Sequence, residues 1–378
     1  MMAPFDFQPR TRVVFGSGVV SRLGEVVREL GGRRALIVTD KGIVAAGHLD
    51  RARSMLEKDG INVSVFDGVR ENPNTEDVSL CVDAAREFGV DLFVGLGGGS
   101  SMDTAKGANF ILTNGGEMRD YHGVGKASKP MLPLVAIPTT AGTGSECQSF
   151  ALIADPASHL KMACGDPKAA ARVALLDPEL TVSQPPRVTA CTGVDALVHA
   201  LETAVTKKRT DFSRLFSREA FCLIIKAFPA VLAKPDDLDA RGAMLLGAAY
   251  AGMAIENSML GCAHSAANPL TAHFGVIHGQ AVGRLITSVM RRNAREEVVL
   301  AEYDTLAGLA GYSSFEPLIG RIEEILGLAG LDASLAKLGV SEASVAKMAQ
   351  EAAAQWTASF NPVRYETSDF EAIYRELL

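Results

Sequence analysis

Short apolar runs alternate with longer amphipathic stretches through the first half of the chain, and this rhythm predicts the architecture. Arg33 to Asp40 (RRALIVTD), Asn62 to Val69 (NVSVFDGV), Val90 to Leu96 (VDLFVGL) and Pro133 to Pro138 (PLVAIP) read as strands. Between them, Val44 to Lys58 and Glu76 to Phe88 repeat their apolar positions with helical spacing. Strand-helix-strand alternation predicts a mostly parallel, doubly wound sheet with helices on both faces. Residues 149–177 interrupt the rhythm and read as an antiparallel ribbon of SFALIAD, HLKMAC and RVALLD. After Asp177-Pro178 and Pro185-Pro186 the period changes, and from Thr189 onward nearly everything has helical spacing. The pattern predicts an α/β domain over residues 1–186 and an all-α domain over 187–378, with no internal repeat and no low-complexity segment.

Composition narrows what such a chain does. Its 378 residues favour two domains over one, and 48% hydrophobic with 21% charged residues is ordinary for a globular protein. A formal charge of −7, with no dense Lys/Arg run, argues against a nucleic-acid partner. The six cysteines form no C-x-x-C pair and read as scattered thiols of a reducing compartment. Residues 1–12 lack the charged-then-apolar pattern of a secretion signal, and no apolar run approaches the ~18 to 20 residues that span a bilayer. A cytoplasmic protein without membrane contact is the expectation.

Two loops carry candidate chemistry in the first domain. The strand ending at Leu96 runs into Gly97-Gly98-Gly99-Ser100-Ser101-Met102-Asp103-Thr104-Ala105-Lys106, and a helix follows. Glycines let backbone approach an anion, and a helix N-terminus offers free N–H groups, with Ser100 placed to cap it. The strand ending at Pro138 runs into Thr139-Thr140-Ala141-Gly142-Thr143-Gly144-Ser145-Glu146. In a doubly wound sheet, ligands sit beyond the carboxyl ends of the strands, so these loops read as two walls of one crevice for a dinucleotide. Asp40 closes its strand where a carboxylate can accept from a ribose diol and repel a 2′-phosphate, which favours NAD over NADP. Phe15-Gly16-Ser17-Gly18 also precedes a helix but reads as a structural turn.

The second domain carries a different constellation. Asp195 and His199 stand at i and i+4 on one face of a predicted helix. Three of the seven histidines, His264, His273 and His278, fall within one short segment. On a straight helix His264 and His278 would stand roughly 21 Å apart. Pro269 and Gly275 are expected to break that helix so that both imidazoles can turn toward one point. Carboxylate oxygen and imidazole nitrogen are ordinary ligands of divalent transition metals, and the set points to one bound ion.

In combination, FGSG at 15–18, IVTD at 37–40, ENPN at 71–74, GGGSSMDTAK at 97–106, PTTAGTGSE at 138–146, LLDPELT at 175–181, TGVDALVHALE at 192–202 and the HG-ending segment at 264–279 resemble the iron-containing, or group III, alcohol dehydrogenases. The likeness runs over essentially the whole chain. It implies a dinucleotide domain followed by a helical domain, assembled at least as a dimer. It implies metal ligation by Asp195, His199, His264 and His278, with Fe(II) typical and Zn(II) the alternative. It places Gly98, Gly99, Ser100 and Asp103 at the pyrophosphate, Thr139, Thr140 and Thr143 in the second cofactor loop, Lys161 as a cofactor-contacting lysine, and Asp40 and Asn72 on the adenosine side. Two positions depart from the pattern. Asn268 stands where a second histidine is common, and Ile277 where proline usually precedes the last ligand. His273 is then the candidate for proton transfer. The implied activity is hydride transfer between NAD and a small alcohol or aldehyde. The same fold could instead serve an NAD-using cyclising lyase of the dehydroquinate synthase type, which would need a more basic pocket.

Overall fold

The structure, a computed structural model, describes residues 4–157 and 161–378. It contains two compact units, one of Gln8–Gln184 and one of Pro185–Leu378 joined by residues 4–7. Phe5 and Phe7 stack near Phe212, with ring centroids 5.6 and 3.9 Å away, which ties the first described residues to the helical unit.

The α/β unit runs β1 (Arg12–Phe15), α1 (Leu23–Glu29), β2 (Arg34–Val38), α2 (Lys41–Ala45), α3 (His48–Lys58), β3 (Asn62–Phe66), α4 (Thr75–Phe88), β4 (Leu92–Gly97), α5 (Gly99–Asn114), β5 (Gly123–Val124), β6 (Leu134–Pro138), β7 (Phe150–Ala154), β8 (Lys161–Gly165) and β9 (Val173–Leu176). Six strands form a sheet in the order β1-β9-β6-β4-β2-β3, and every pairing in it is parallel. Both faces are covered, so alternate residues of one strand enter different cores. Phe93 of β4 packs with residues of α4 and α5, whereas Leu92 and Val94 pack with those of α1 and α3. The chain proceeds outward from β2 to β3 in one direction and from β4 to β6 and β9 in the other. The switch therefore lies between β2 and β4, where Asp40 and the Gly97–Gly99 turn leave the sheet.

Three local expectations change. The stretch 44–58 is not one helix, because Gly47 adopts a left-handed conformation (φ 78°) and separates α2 from α3. The ribbon over 149–177 is a two-strand antiparallel pair, β7 with β8, flanked by the short β5. RVALLD leaves it to become β9, inserted between β1 and β6 of the main sheet, where all four strand residues are buried. His159 and Leu160 of the expected HLKMAC strand lie outside the described residues.

The helical unit runs α6 (Pro186–Val205), α7 (Asp211–Ala233), α8 (Leu238–Glu256), α9 (Cys262–Phe274), α10 (His278–Asn293), α11 (Glu297–Leu309), α12 (Phe315–Leu328), α13 (Glu342–Ala354) and α14 (Thr367–Leu377). Pro269 does not break α9, which continues to Phe274. The reversal comes from Gly275 alone, in the left-handed C-cap position (φ 64°). Among the described residues, no helix is long and apolar enough to cross a membrane.

Candidate cofactor loops and metal centre

The two loops expected in the α/β unit face one another. Gly97 adopts φ 144°, and a Cβ there would lie 2.5 Å from Ser101 Oγ. A Cβ on Gly98 would lie 3.4 Å from Thr140 Cγ2, and one on Gly99 would lie 2.8 Å from Thr143. The glycines thus keep open a cradle that any side chain would fill. The N-cap of α5 is Gly98 rather than Ser100, and no side chain caps it. Ser100 sits inside the first turn, so the N-terminal N–H groups keep their anion-binding character.

Asp40 caps α2 through Oδ1, which accepts from the N–H groups of Gly42 and Ile43. Its other oxygen points toward the glycine turn, 3.5 Å from where a Gly97 Cβ would be. Asn72 holds a left-handed backbone (φ 54°), and its amide oxygen accepts from Lys161 Nζ at 3.3 Å. Thr139 is buried, and its N–H donates to Gly97 O at 3.0 Å, joining the loops at their roots. Asp103 turns inward, where it is buried and accepts from Ser145 Oγ at 2.6 Å and from Leu152 N–H at 3.2 Å. The Gly16–Gly18 turn wraps a protein carboxylate, since Gly18 and Val20 N–H both donate to Asp177 at 3.1 Å.

In the helical unit four side chains converge. Asp195 Oδ1 lies 3.5 Å from His199 Nε2, 3.5 Å from His264 Nε2 and 3.8 Å from His278 Nε2. The His199 and His264 rings are 4.8 Å apart and nearly parallel, and those of His264 and His278 are 5.3 Å apart. Asp195, His199 and His264 are buried together, close enough to share one ion. Separations near 3.5 Å are too long for good hydrogen bonds. They match the ~3.4 Å edge of a tetrahedron whose ligands stand ~2.1 Å from its centre. Asp195 Oδ1 and His264 Nε2 are buried without a hydrogen-bond partner among the described residues. Unmet polar atoms at that depth are costly unless an ion answers them, so the residues fit a divalent cation.

Packing explains why this cluster forms. A Cβ on Gly279 would fall 2.0 Å from Cys191 O, and one on Gly283 would fall 2.4 Å from Val194 Cγ1. These glycines, one turn apart, let the start of α10 press against α6 and deliver His278 to Asp195. Glu202, which the sequence reading did not single out, completes the setting. It is buried at i+3 from His199 and accepts from Gly261 N–H (3.0 Å) and Ala263 N–H (2.7 Å) at the start of α9. It also lies 2.6 Å from His264 Nδ1. A proton held on Nδ1 and donated to Glu202 leaves Nε2 as the nitrogen whose proton a cation would displace to take its lone pair. The signal available was spacing, since Asp195, His199 and Glu202 share one helix face.

The electrostatics agree. Burial pushes the Asp195 carboxyl up, but the surrounding imidazoles more than offset it and hold it well below the usual carboxylate range. Burial opposes charge on His264, yet Glu202 and Asp195 raise it to about 9. One carboxylate and one imidazole with such perturbed affinities mark a place built for positive charge. His273 is not part of this gathering. It lies exposed near the end of α9, with Nε2 2.6 Å from Glu351 Oε2 on α13. Asn268 donates its amide to Gln355 Oε1 at 3.1 Å.

Hydride chemistry on an alcohol asks for a holder of the dinucleotide and a seat for a Lewis acid, and each unit offers one. That pairing defines the class of metal-assisted dehydrogenases. Residues 9–178 match "Iron-containing alcohol dehydrogenase" and residues 189–378 match "Fe-containing alcohol dehydrogenase family, C-terminal". The chain belongs to the iron-containing alcohol dehydrogenase family and is an oxidoreductase acting on a CH–OH group. It is 34% identical to the NAD-dependent methanol dehydrogenase of Bacillus methanolicus, over 97% of both chains. A crystal structure of a 1,3-propanediol oxidoreductase superposes over all of both chains, with a TM-score of 0.95 at 31% identity. Sulfoacetaldehyde reductase of Bifidobacterium kashiwanohense, solved with NAD+, gives a TM-score of 0.90 at 27% identity, over 99% of each chain. The cyclising-lyase alternative finds no support in these relatives.

Proposed function

We propose that the protein interconverts a small alcohol and its aldehyde or ketone with NAD, using one Fe(II) or Zn(II) ion held by Asp195, His199, His264 and His278. The observation that carries this reading is the buried, unmet Asp195 Oδ1 with three imidazole Nε2 atoms 3.5 to 3.8 Å away. A divalent ion in that place supplies Lewis acidity to the alcohol or carbonyl oxygen. The protein's part is to hold and orient. Glu202 sets the tautomer and the ring plane of His264, and Gly279 and Gly283 bring His278 within reach. Asp195 supplies the negative charge that balances the cation.

In the α/β unit, the N–H groups of Gly98, Gly99 and Ser100 are assigned to the pyrophosphate, with the Thr140 and Thr143 hydroxyls opposite. Thr139 and Asp103 act from within, by fixing the loops. Asp40 is assigned to the ribose diol, where its charge disfavours a 2′-phosphate. Asn72 and Lys161, already joined, are assigned to the adenosine side. The nicotinamide carries the redox chemistry. His273 has no step in this scheme, because its ring is engaged by Glu351. The reading includes a cytoplasmic location, in keeping with six cysteines that form no disulfide, and a homodimer or larger homo-oligomer.

A panel of primary alcohols, diols and hydroxy acids, with NAD or NADP and with Fe(II) or Zn(II) restored, tests it. Metal-dependent NADH formation favouring NAD is expected. Equal rates after complete removal of metal would reject the metal assignment, and no NADH with any alcohol would reject the activity.

A further inference from the structure

Lys106 is fully buried on α5, on the helix that follows the glycine turn. Its ammonium donates to Ser145 O at 2.6 Å, Ser145 Oγ at 2.8 Å and Phe150 O at 3.0 Å. Ser145 Oγ in turn donates to Asp103 Oδ1 at 2.6 Å, one helical turn before Lys106, and Lys106 Nζ stands 3.9 Å from that same oxygen. A buried ammonium is expensive to desolvate unless its donors are all met. Here three donors meet three acceptors, and all three acceptors lie on the segment that follows β6. The group therefore ties α5, which opens with the glycine turn, to the end of the Thr139–Ser145 loop. Backbone joins these loops at their roots, through Thr139 N–H to Gly97 O. At the far end the join is made by Lys106.

We propose that Lys106, acting through Ser145 and Asp103, is a positioning residue for the dinucleotide: it sets the spacing between the Gly97–Gly99 turn and the Thr139–Ser145 loop. It touches no cofactor, because its ammonium is enclosed and already engaged. The spacing it holds is the one at which Thr140 and Thr143 stand 3.4 and 2.8 Å from the Cβ positions that Gly98 and Gly99 leave empty. This proposal rests on the assignment of NAD to these loops.

The test is calorimetric titration of NAD into the metal-loaded wild type, Lys106→Met and Ser145→Ala, with steady-state kinetics on each. Lys106→Met keeps the length of the side chain and removes the donors. Losing hydrogen bonds from a charged group predicts a rise of about tenfold or more in Kd and KM for NAD. Ser145→Ala, which deletes one hydroxyl and no charge, predicts a rise of about threefold. At saturating NAD, kcat should stay within about threefold of wild type, since the loops still close on bound cofactor. If Lys106→Met does not fold, Ser145→Ala decides. Folded variants that bind NAD as the wild type does would overturn the proposal, as would a fall in kcat with KM unchanged. A wild type that binds no NAD would instead overturn the cofactor assignment, and the proposal with it.

Discussion

The two candidate sites are built in opposite ways. The loops of the α/β unit depend on what is missing, because Gly97, Gly98 and Gly99 leave space that a Cβ would occupy. Lys106, Ser145 and Asp103 spend their polar groups on one another and on backbone inside the fold. The cluster of the helical unit depends on what is present. Asp195 and His264 carry buried polar atoms without a hydrogen-bond partner among the described residues. A site for a large, flexible dinucleotide can use backbone and let the ligand conform. A site for a small ion must fix its ligand atoms to within tenths of an ångström, so it stands on helices and takes support from Glu202. The first is sensitive to added atoms, the second to removed ones.

The contrast can be broken most severely by deleting a ligand. His264→Ala should lose turnover by roughly a thousandfold or more and lose bound metal, as metal analysis beside kcat will show. Full activity without metal would refute the ligand set. Next in size is a pH effect in the α/β unit. Burial pushes the Glu146 carboxyl up from 4.5 to about 7. The unfolded chain releases that proton near the ordinary value while the folded chain keeps it, so folding stability falls as pH rises between the two and stays reduced above. Glu146→Gln should therefore stabilise the protein at neutral and alkaline pH by up to about 3 kcal/mol, and hardly at all at the acid end. Tm measured against pH for both proteins checks this, and a pH-independent difference would contradict it.

Smaller changes sharpen the comparison. Glu202→Gln keeps the shape of the side chain and removes its charge, and should weaken metal binding by about 10- to 100-fold. Chelator competition measures this, and added metal should restore much of the rate. Gly99→Ala adds one methyl group 2.8 Å from Thr143. It should weaken NAD by about tenfold while metal content stays whole, the reverse of the Glu202 result. His273→Phe should change kcat by less than about twofold with an unchanged pH profile, because an exposed ion pair contributes little. A shifted profile would return His273 to the proton path.

Four of the six sheet strands, β2, β3, β4 and β6, were legible because they are short apolar runs separated by helical spacing, whereas β1, only four residues long, was not. The pairing of strands was not: RVALLD has the same alternation whether it extends the β7–β8 ribbon or enters the main sheet, and only its burial between β1 and β6 decides. The helix containing His264 ran past Pro269 because tertiary packing overrode an intrinsic preference, whereas Gly275, with its left-handed backbone, did end it. Ser100 had the chemistry of a cap, but the chain enters α5 two residues earlier, at Gly98. The gathering of Asp195, His199, His264 and His278 was readable from residue type and spacing. Glu202 was readable in part, since its place on the Asp195 face follows from the helical period. Its bonds to Gly261 and Ala263 do not, because they arise only when α9 docks against α6. Lys106 looked like one more polar residue of a glycine-rich motif, and only its complete burial reveals the work it does.

The most direct test is anomalous X-ray diffraction from crystals of the metal-restored protein, collected on either side of the absorption edge of iron or zinc. A single strong peak about 2.0 to 2.2 Å from Asp195 and from the Nε2 atoms of His199, His264 and His278 is predicted. An active enzyme with its peak elsewhere, or with none, would contradict the account.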